Sequence, residues 1–128
     1  MGKINKPIDP IQLEVIWNRL ISVVNQQAAA LVRTSFTPVV SEAEDLAAAI
    51  FDGKCRMLAQ SIRGTPGHIN STAFCVEEFS KIISIKKLVD GDVLITNDPW
   101  KTSGHLNDIT IVTPIFYKKR LIAFFANT

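Results

Sequence analysis

The last twenty residues constrain the fold most. They read "ITIVTPIFY", "KKR" and "LIAFFANT", two apolar runs joined by a short basic turn. Runs rich in β-branched and aromatic residues, bounded by polar turns, mark strands, and two in succession mark a hairpin. The final run is apolar at nearly every position, so it expects cover on both faces. As the last strand it would also offer an open edge and an apolar surface, and self-association would follow. Pro114 has no N–H to give and limits ladder pairing locally. A hairpin of this kind has to be buried by other elements, and the rest of the chain supplies them.

Asp9 stands where an N-cap belongs, Pro10 suits the first helical position, and Gln12 falls where a capping box wants it. Leu13, Ile16, Trp17, Leu20, Val24, Ala28 and Leu31 then recur at threes and fours, the stripe of an amphipathic helix. "TSFTP" ends it, because Pro38 disfavours helical angles at Thr37. "DLAAAIFD" and "CRMLAQS" flank "DGK", a hairpin signal, although alanine is a poor strand former. Thr65 before Pro66 opens a second helix, with Ile69, Ala73, Val76, Phe79 and Ile83 as its stripe. "LVDGDVLITND" is a turn leading into a strand. Helix, hairpin, helix and three strands make an α+β fold.

At 128 residues the chain has the size of one ordinary domain. The only basic clusters are Lys86–Lys87 and Lys118 to Arg120; no aromatics interleave with them, which argues against nucleic acid. The start, "MGKINKPIDPIQ", has no apolar signal core, and no run approaches the roughly 18 apolar residues of a membrane span. Cys55 and Cys75 are isolated, without metal-finger spacing, and read as a reduced pair in a cytoplasmic protein.

Chemistry concentrates around two histidines, both preceded by glycine: "TPGHIN" and "SGHLND". The second lies in "NDPWKTSGHLND", a connection between strands that a plain turn would not need to furnish with a histidine and two aspartates. His105 and Asp108, three residues apart, can turn toward one cation, with Asp98 on the same connection. One nitrogen and two carboxylates suit Mn²⁺, Fe²⁺ or Zn²⁺ better than Mg²⁺. The same residues would also serve a turn in which Asp98 caps "NDP" and Asp108 accepts backbone N–H bonds. His68 lies in the first turn of the second helix, where free N–H groups favour an anion, and Arg63 is near enough to add a bond to a carboxylate or phosphate. "EAED", residues 42 to 45, reads mainly as a solvated acidic bend.

The segments "DPIQLEVIWNRLISVVNQQAAALVRTSF", "EAEDLAAAIFD", "MLAQSIRGTPGHINS", "GDVLITNDPW" and "GHLNDITIVTPIF" resemble the hydantoinase B/oxoprolinase family, in the right order and from Asp9 to the last residue. The resemblance implies an N-terminal segment, residues 1–128, of a subunit several times longer. Such a subunit works beside a hydantoinase A subunit that binds ATP, and the pair opens a small cyclic amide of the hydantoin or 5-oxoproline type. Related carboxylases activate ketones instead, and a non-catalytic assembly module is a third expectation. The resemblance further implies a divalent metal held by Asp98, His105 and Asp108 together with a later His-rich segment from the remainder of the subunit. Arg63 and His68 would orient a carboxylate or phosphorylated intermediate, so His68 is expected to matter little for the metal. The family loop carries a further glycine after its aromatic residue, where this chain has Lys101-Thr102. With an open ligand set and no nucleotide-binding P-loop, the 128 residues alone are expected to be inactive.

Overall fold

The computed structural model describes residues 7–128. Helix α1 spans Pro10–Thr34, with Pro10 at its first position, where a missing N–H is no loss. The Asp9 carbonyl accepts the Leu13 N–H, but the Asp9 side chain makes no capping bond, so the expected box with Gln12 does not form. Beyond α1 the chain makes a one-turn helix, α2 (Pro38–Ser41), capped by the Thr37 hydroxyl. That turn is too short to show a periodic pattern. Then follow β1 (Ala48–Asp52), β2 (Met57–Gln60), α3 (Pro66–Ile82), β3 (Leu94–Thr96), β4 (Thr110–Tyr117) and β5 (Arg120–Asn127). The α+β reading holds.

All five strands join one antiparallel sheet in the order β2-β1-β5-β4-β3. The β1–β2 turn is held by Asp52, whose Oδ1 accepts the Lys54 and Arg56 N–H groups at 2.8 and 2.9 Å. The β4–β5 turn places Lys118 and Lys119 both at positive φ (48° and 63°), the twist a two-residue hairpin needs. The open edge expected at β5 is not there. β5 is the central strand, pairing with β1 through Ala48–Asp52 and with β4 along its other side. Position in sequence placed it last, whereas joining the two hairpins through β1 and β5 puts the most apolar strand where it is covered. The edges are β2 and β3, and the self-association expected of an exposed last strand loses its basis. Pro114 is tolerated because β3 pairs only with Thr110, Ile111 and Val112, so that ladder has ended before the proline.

The strand period of two sends alternate side chains to opposite helices. Ala49, Phe51, Val112, Phe124 and Ala126 pack with Val76 of α3. Ile50, Ala59 and Ala123 pack with Val24 of α1, and Ala48 and Leu46 with Ala28. The alanines that weakened the hairpin signal are thus contact points of a closely seated helix. The α1 stripe is only partly used. Val24 and Ala28 are fully buried, but Leu13, Ile16 and Trp17 are about half exposed, at 48, 49 and 54%. Length explains this: a helix of 25 residues is about 37 Å long, while a strand of five covers about 17 Å, so the first turns of α1 overhang the sheet. No helix among the described residues is long and apolar enough to cross a membrane.

One backbone contact carries the chain from β2 into α3. Gly64 adopts φ 121°, and a Cβ there would collide with the Leu46 carbonyl oxygen, which accepts the Thr65 N–H at 2.9 Å. Gly64→Ala is therefore predicted to destabilise the fold by about 2 kcal/mol or more, combining backbone strain with the clash. Gly67→Ala, in the first turn of α3 with nothing within 4 Å, should be neutral or slightly stabilising. Urea unfolding of the two variants measures the difference, and equal effects would refute the close-approach argument.

Candidate functional site

β1 and β4 both run antiparallel to β5, so the loops leading into them lie at the same end of the sheet. Asp45 stands three residues before β1 and Asp108 two before β4. The helix entry of α3 closes over the same end, held by a buried chain of hydroxyls. Thr128 Oγ1 lies 2.6 Å from Thr72 Oγ1 of α3 and 2.8 Å from Thr110 Oγ1 of β4. Thr72 and Thr110 are wholly buried.

Asp45 is presented by a tight bend in which Glu44 takes a left-handed φ of 53° and the Leu46 N–H bonds back to the Glu44 carbonyl. Thr65, at the N-cap of α3, makes no capping bond; its hydroxyl donates instead to Asp45 Oδ1 at 2.6 Å. His68 Nε2 lies 2.9 Å from the same oxygen. His68 itself is buried, and its Nδ1 has no hydrogen-bond partner among the described residues. That nitrogen faces Asp108 Oδ2 at 3.9 Å, too far for a hydrogen bond. The Ser103 hydroxyl donates to Asp108 Oδ2, and His105 Nδ1 lies 3.3 Å from that oxygen. His105 is largely exposed. Asp45, His105 and Asp108 line one open groove, together with Leu31, Val40 and Ile111.

His68 and Arg63 are not placed as an anion site would have them. His68 has carboxylates at both ring nitrogens, and Arg63 pairs with Glu44 at 2.9 Å on the rim. Two carboxylates so placed disfavour an anion. Asp98 is not brought to the cluster. Its Oδ1 accepts the Trp100 N–H at 3.1 Å, closing its own turn, and its side chain lines a separate groove with Glu78 and Lys101. The residues missed from the sequence are Asp45, Thr65 and Ser103. A usable signal existed for Asp45: once two hairpins are paired through their inner strands, the acids before β1 must meet the loop before β4. Thr65 and Ser103 gave none.

Among the described residues, no three His, Cys, Asp or Glu side chains converge closely enough to hold a metal ion. What is present fits such an ion in part: His105 and Asp108 as adjoining donors, with Asp45 on the same groove. Cys75 can be set aside, since burial pushes its thiol up to about 11.

The Thr65 bond holds the Asp45 carboxyl below its ordinary 3.8; burial opposes this, and His68 and then His105 add to the lowering. A carboxylate depressed in the folded state stabilises the fold above its unfolded pKa, and that stability is lost as pH falls through the folded value. Asp45→Asn should therefore flatten the loss of unfolding free energy between about pH 5 and pH 2, relative to the unmodified protein. Asp52, also depressed, contributes to both and cancels. Denaturant titrations across that range measure it, and parallel curves would contradict the assignment.

Known proteins share this architecture. Nucleotide-free acetone carboxylase, an ATP-dependent enzyme, superposes over 93% of this chain and 16% of its own, with a TM-score of 0.83 at 20% identity. ATP-dependent caprolactamase from Pseudomonas jessenii superposes over 95% of this chain and 21% of its own, with a TM-score of 0.72 at 21% identity. At these identities the likeness is one of fold. In sequence, the chain is 36% identical over 118 residues to 5-oxoprolinase of Saccharomyces cerevisiae and 32% identical over 119 residues to 5-oxoprolinase 1 of Arabidopsis thaliana. It covers 92 and 93% of itself in those matches, and spans 9% of each relative's length. The family model described as hydantoinase B/oxoprolinase matches residues 9–128, and the chain belongs to that family.

Proposed function

We propose that this segment forms part of a divalent-cation site in an enzyme that hydrolyses a small cyclic amide with ATP. The observation that carries the reading is the groove in which His105 Nδ1 and Asp108 Oδ2 lie 3.3 Å apart with Asp45 on the same wall. His105, Asp108 and Asp45 would hold the cation, and the mixed nitrogen and carboxylate set favours Mn²⁺, Fe²⁺ or Zn²⁺. Bound there, the ion supplies Lewis-acid polarisation of the amide carbonyl. Ser103 holds the Asp108 carboxylate in place through its hydroxyl. The apolar residues Leu31, Val40 and Ile111 give the groove a wall suited to the carbon skeleton of a small ring. Arg63, already paired to Glu44, serves the rim rather than the reaction.

The remaining ligands belong to the rest of the subunit, and ATP to a hydantoinase A-type partner subunit or domain. Acetone carboxylase and caprolactamase share this fold, so fold alone does not choose between carboxylation and amide opening. Identity of 36 and 32% to 5-oxoprolinases supports amide opening. Two free cysteines, one of them buried, fit a reducing compartment such as the cytoplasm.

The test uses the whole protein that carries this segment, with its ATP-binding partner, assayed on 5-oxoproline and hydantoin with ATP and Mn²⁺. His105→Ala and Asp108→Ala should each lower kcat by roughly 100-fold or more and reduce bound metal, because each removes a direct ligand. Arg63→Ala should change kcat by less than about threefold, being a partly exposed ion pair. Unchanged turnover and metal content in both ligand variants would refute the cation site. Carboxylation of a ketone without amide hydrolysis would shift the assignment to the carboxylase reading.

A further inference from the structure

We propose that His68 and Thr65 are positioning residues that fix the Asp45 carboxylate as an arm of the cation site. The proposal rests on the cation reading above and extends it to two residues that would not touch the ion. Both donors act on one oxygen: Thr65 Oγ1 at 2.6 Å and His68 Nε2 at 2.9 Å from Asp45 Oδ1. Two bonds from separate side chains fix the carboxylate torsion, and both fall on Oδ1 of a residue that lines the groove with His105 and Asp108. A ligating carboxylate held in this way loses less freedom when it binds, which is the usual service of outer partners in metal sites.

Three features separate this role from ordinary packing. Thr65 occupies the N-cap of a 17-residue helix, where its hydroxyl would normally take a backbone N–H, and spends that hydroxyl on Asp45 instead. His68 is buried at the helix entry, yet the only hydrogen bond of its ring among the described residues is to Asp45. Against the Asp45 carboxylate Nε2 is the donor, and Nδ1 makes no hydrogen bond among the described residues. The imidazole thus works as a fixed one-sided donor aimed at Asp45.

The experiment takes the whole metal-binding protein, strips it with a chelator and titrates it with Mn²⁺ alone, reading free Mn²⁺ by electron paramagnetic resonance. His68→Leu should weaken Mn²⁺ binding by about 10–100-fold, the usual loss for an outer partner. His68→Gln, whose amide N–H can reach the place of Nε2, should stay within a few-fold of the unmodified protein. Thr65→Val, which keeps the shape and removes the hydroxyl, should weaken binding in the same direction, and it carries the test if His68→Leu does not fold. Unchanged binding in both His68→Leu and Thr65→Val overturns the proposal. Equal weakening by Leu and Gln at position 68 also overturns it, since shape rather than the donated proton would then matter. An unmodified, folded protein that binds no Mn²⁺ refutes the cation reading itself, and this role with it.

Discussion

The pairing of β1 with β5 is the contact on which the rest depends. It joins two local hairpins into one sheet, and it gives the most apolar strand a neighbour on each side and a helix over each face. It also sets direction. Because β1 and β4 flank the same strand antiparallel, their entry loops arrive together, and Asp45 and Asp108 face one groove. Were β5 at an edge, the two acids would belong to separate parts of the surface.

Small residues make that arrangement compact. Ala28 of α1 sits against Ala48 at the end where the groove opens, and Val24 against Ala59 and Ala123 further along the sheet. Gly64 allows a second close approach, of the loop before α3 to the Leu46 carbonyl. That contact seats Thr65 and His68 beside the bend carrying Asp45. Packing of minimal side chains and placement of polar ones are therefore a single problem in this fold.

Much of the architecture was legible in the chain. Periodicity located α1 and α3, Asp-Gly marked one hairpin, and "KKR" marked the other. Strand order was not legible, because apolar content says that β5 must be covered and does not say by which neighbour. The unused half of the α1 stripe escaped for a related reason: amphipathicity measures what a helix can bury, and the length of the sheet decides what it does bury. At the candidate site, His105 and Asp108 could be paired because they are three residues apart on one loop. Asp45 could not, since its proximity comes from a ladder between distant strands. Thr65 was read as a helix cap, a role that its position permits and the carboxylate opposite overrides.

The central position of β5 has a consequence for how the chain is made. The groove residues lie on loops whose shared end of the sheet exists only when β5 pairs with β1, a strand synthesised roughly 75 residues earlier. During vectorial synthesis the β1–β2 hairpin and helices α1 to α3 emerge first, with β1 lacking its partner on one side. Within this segment the groove thus cannot assemble until Asn127 has been synthesised and β5 has paired with β1. Until then Asp45 and Asp108 are acids on unrelated loops. Assembly of this segment therefore depends on a long-range closure, and until it occurs one edge of β1 is left unpaired.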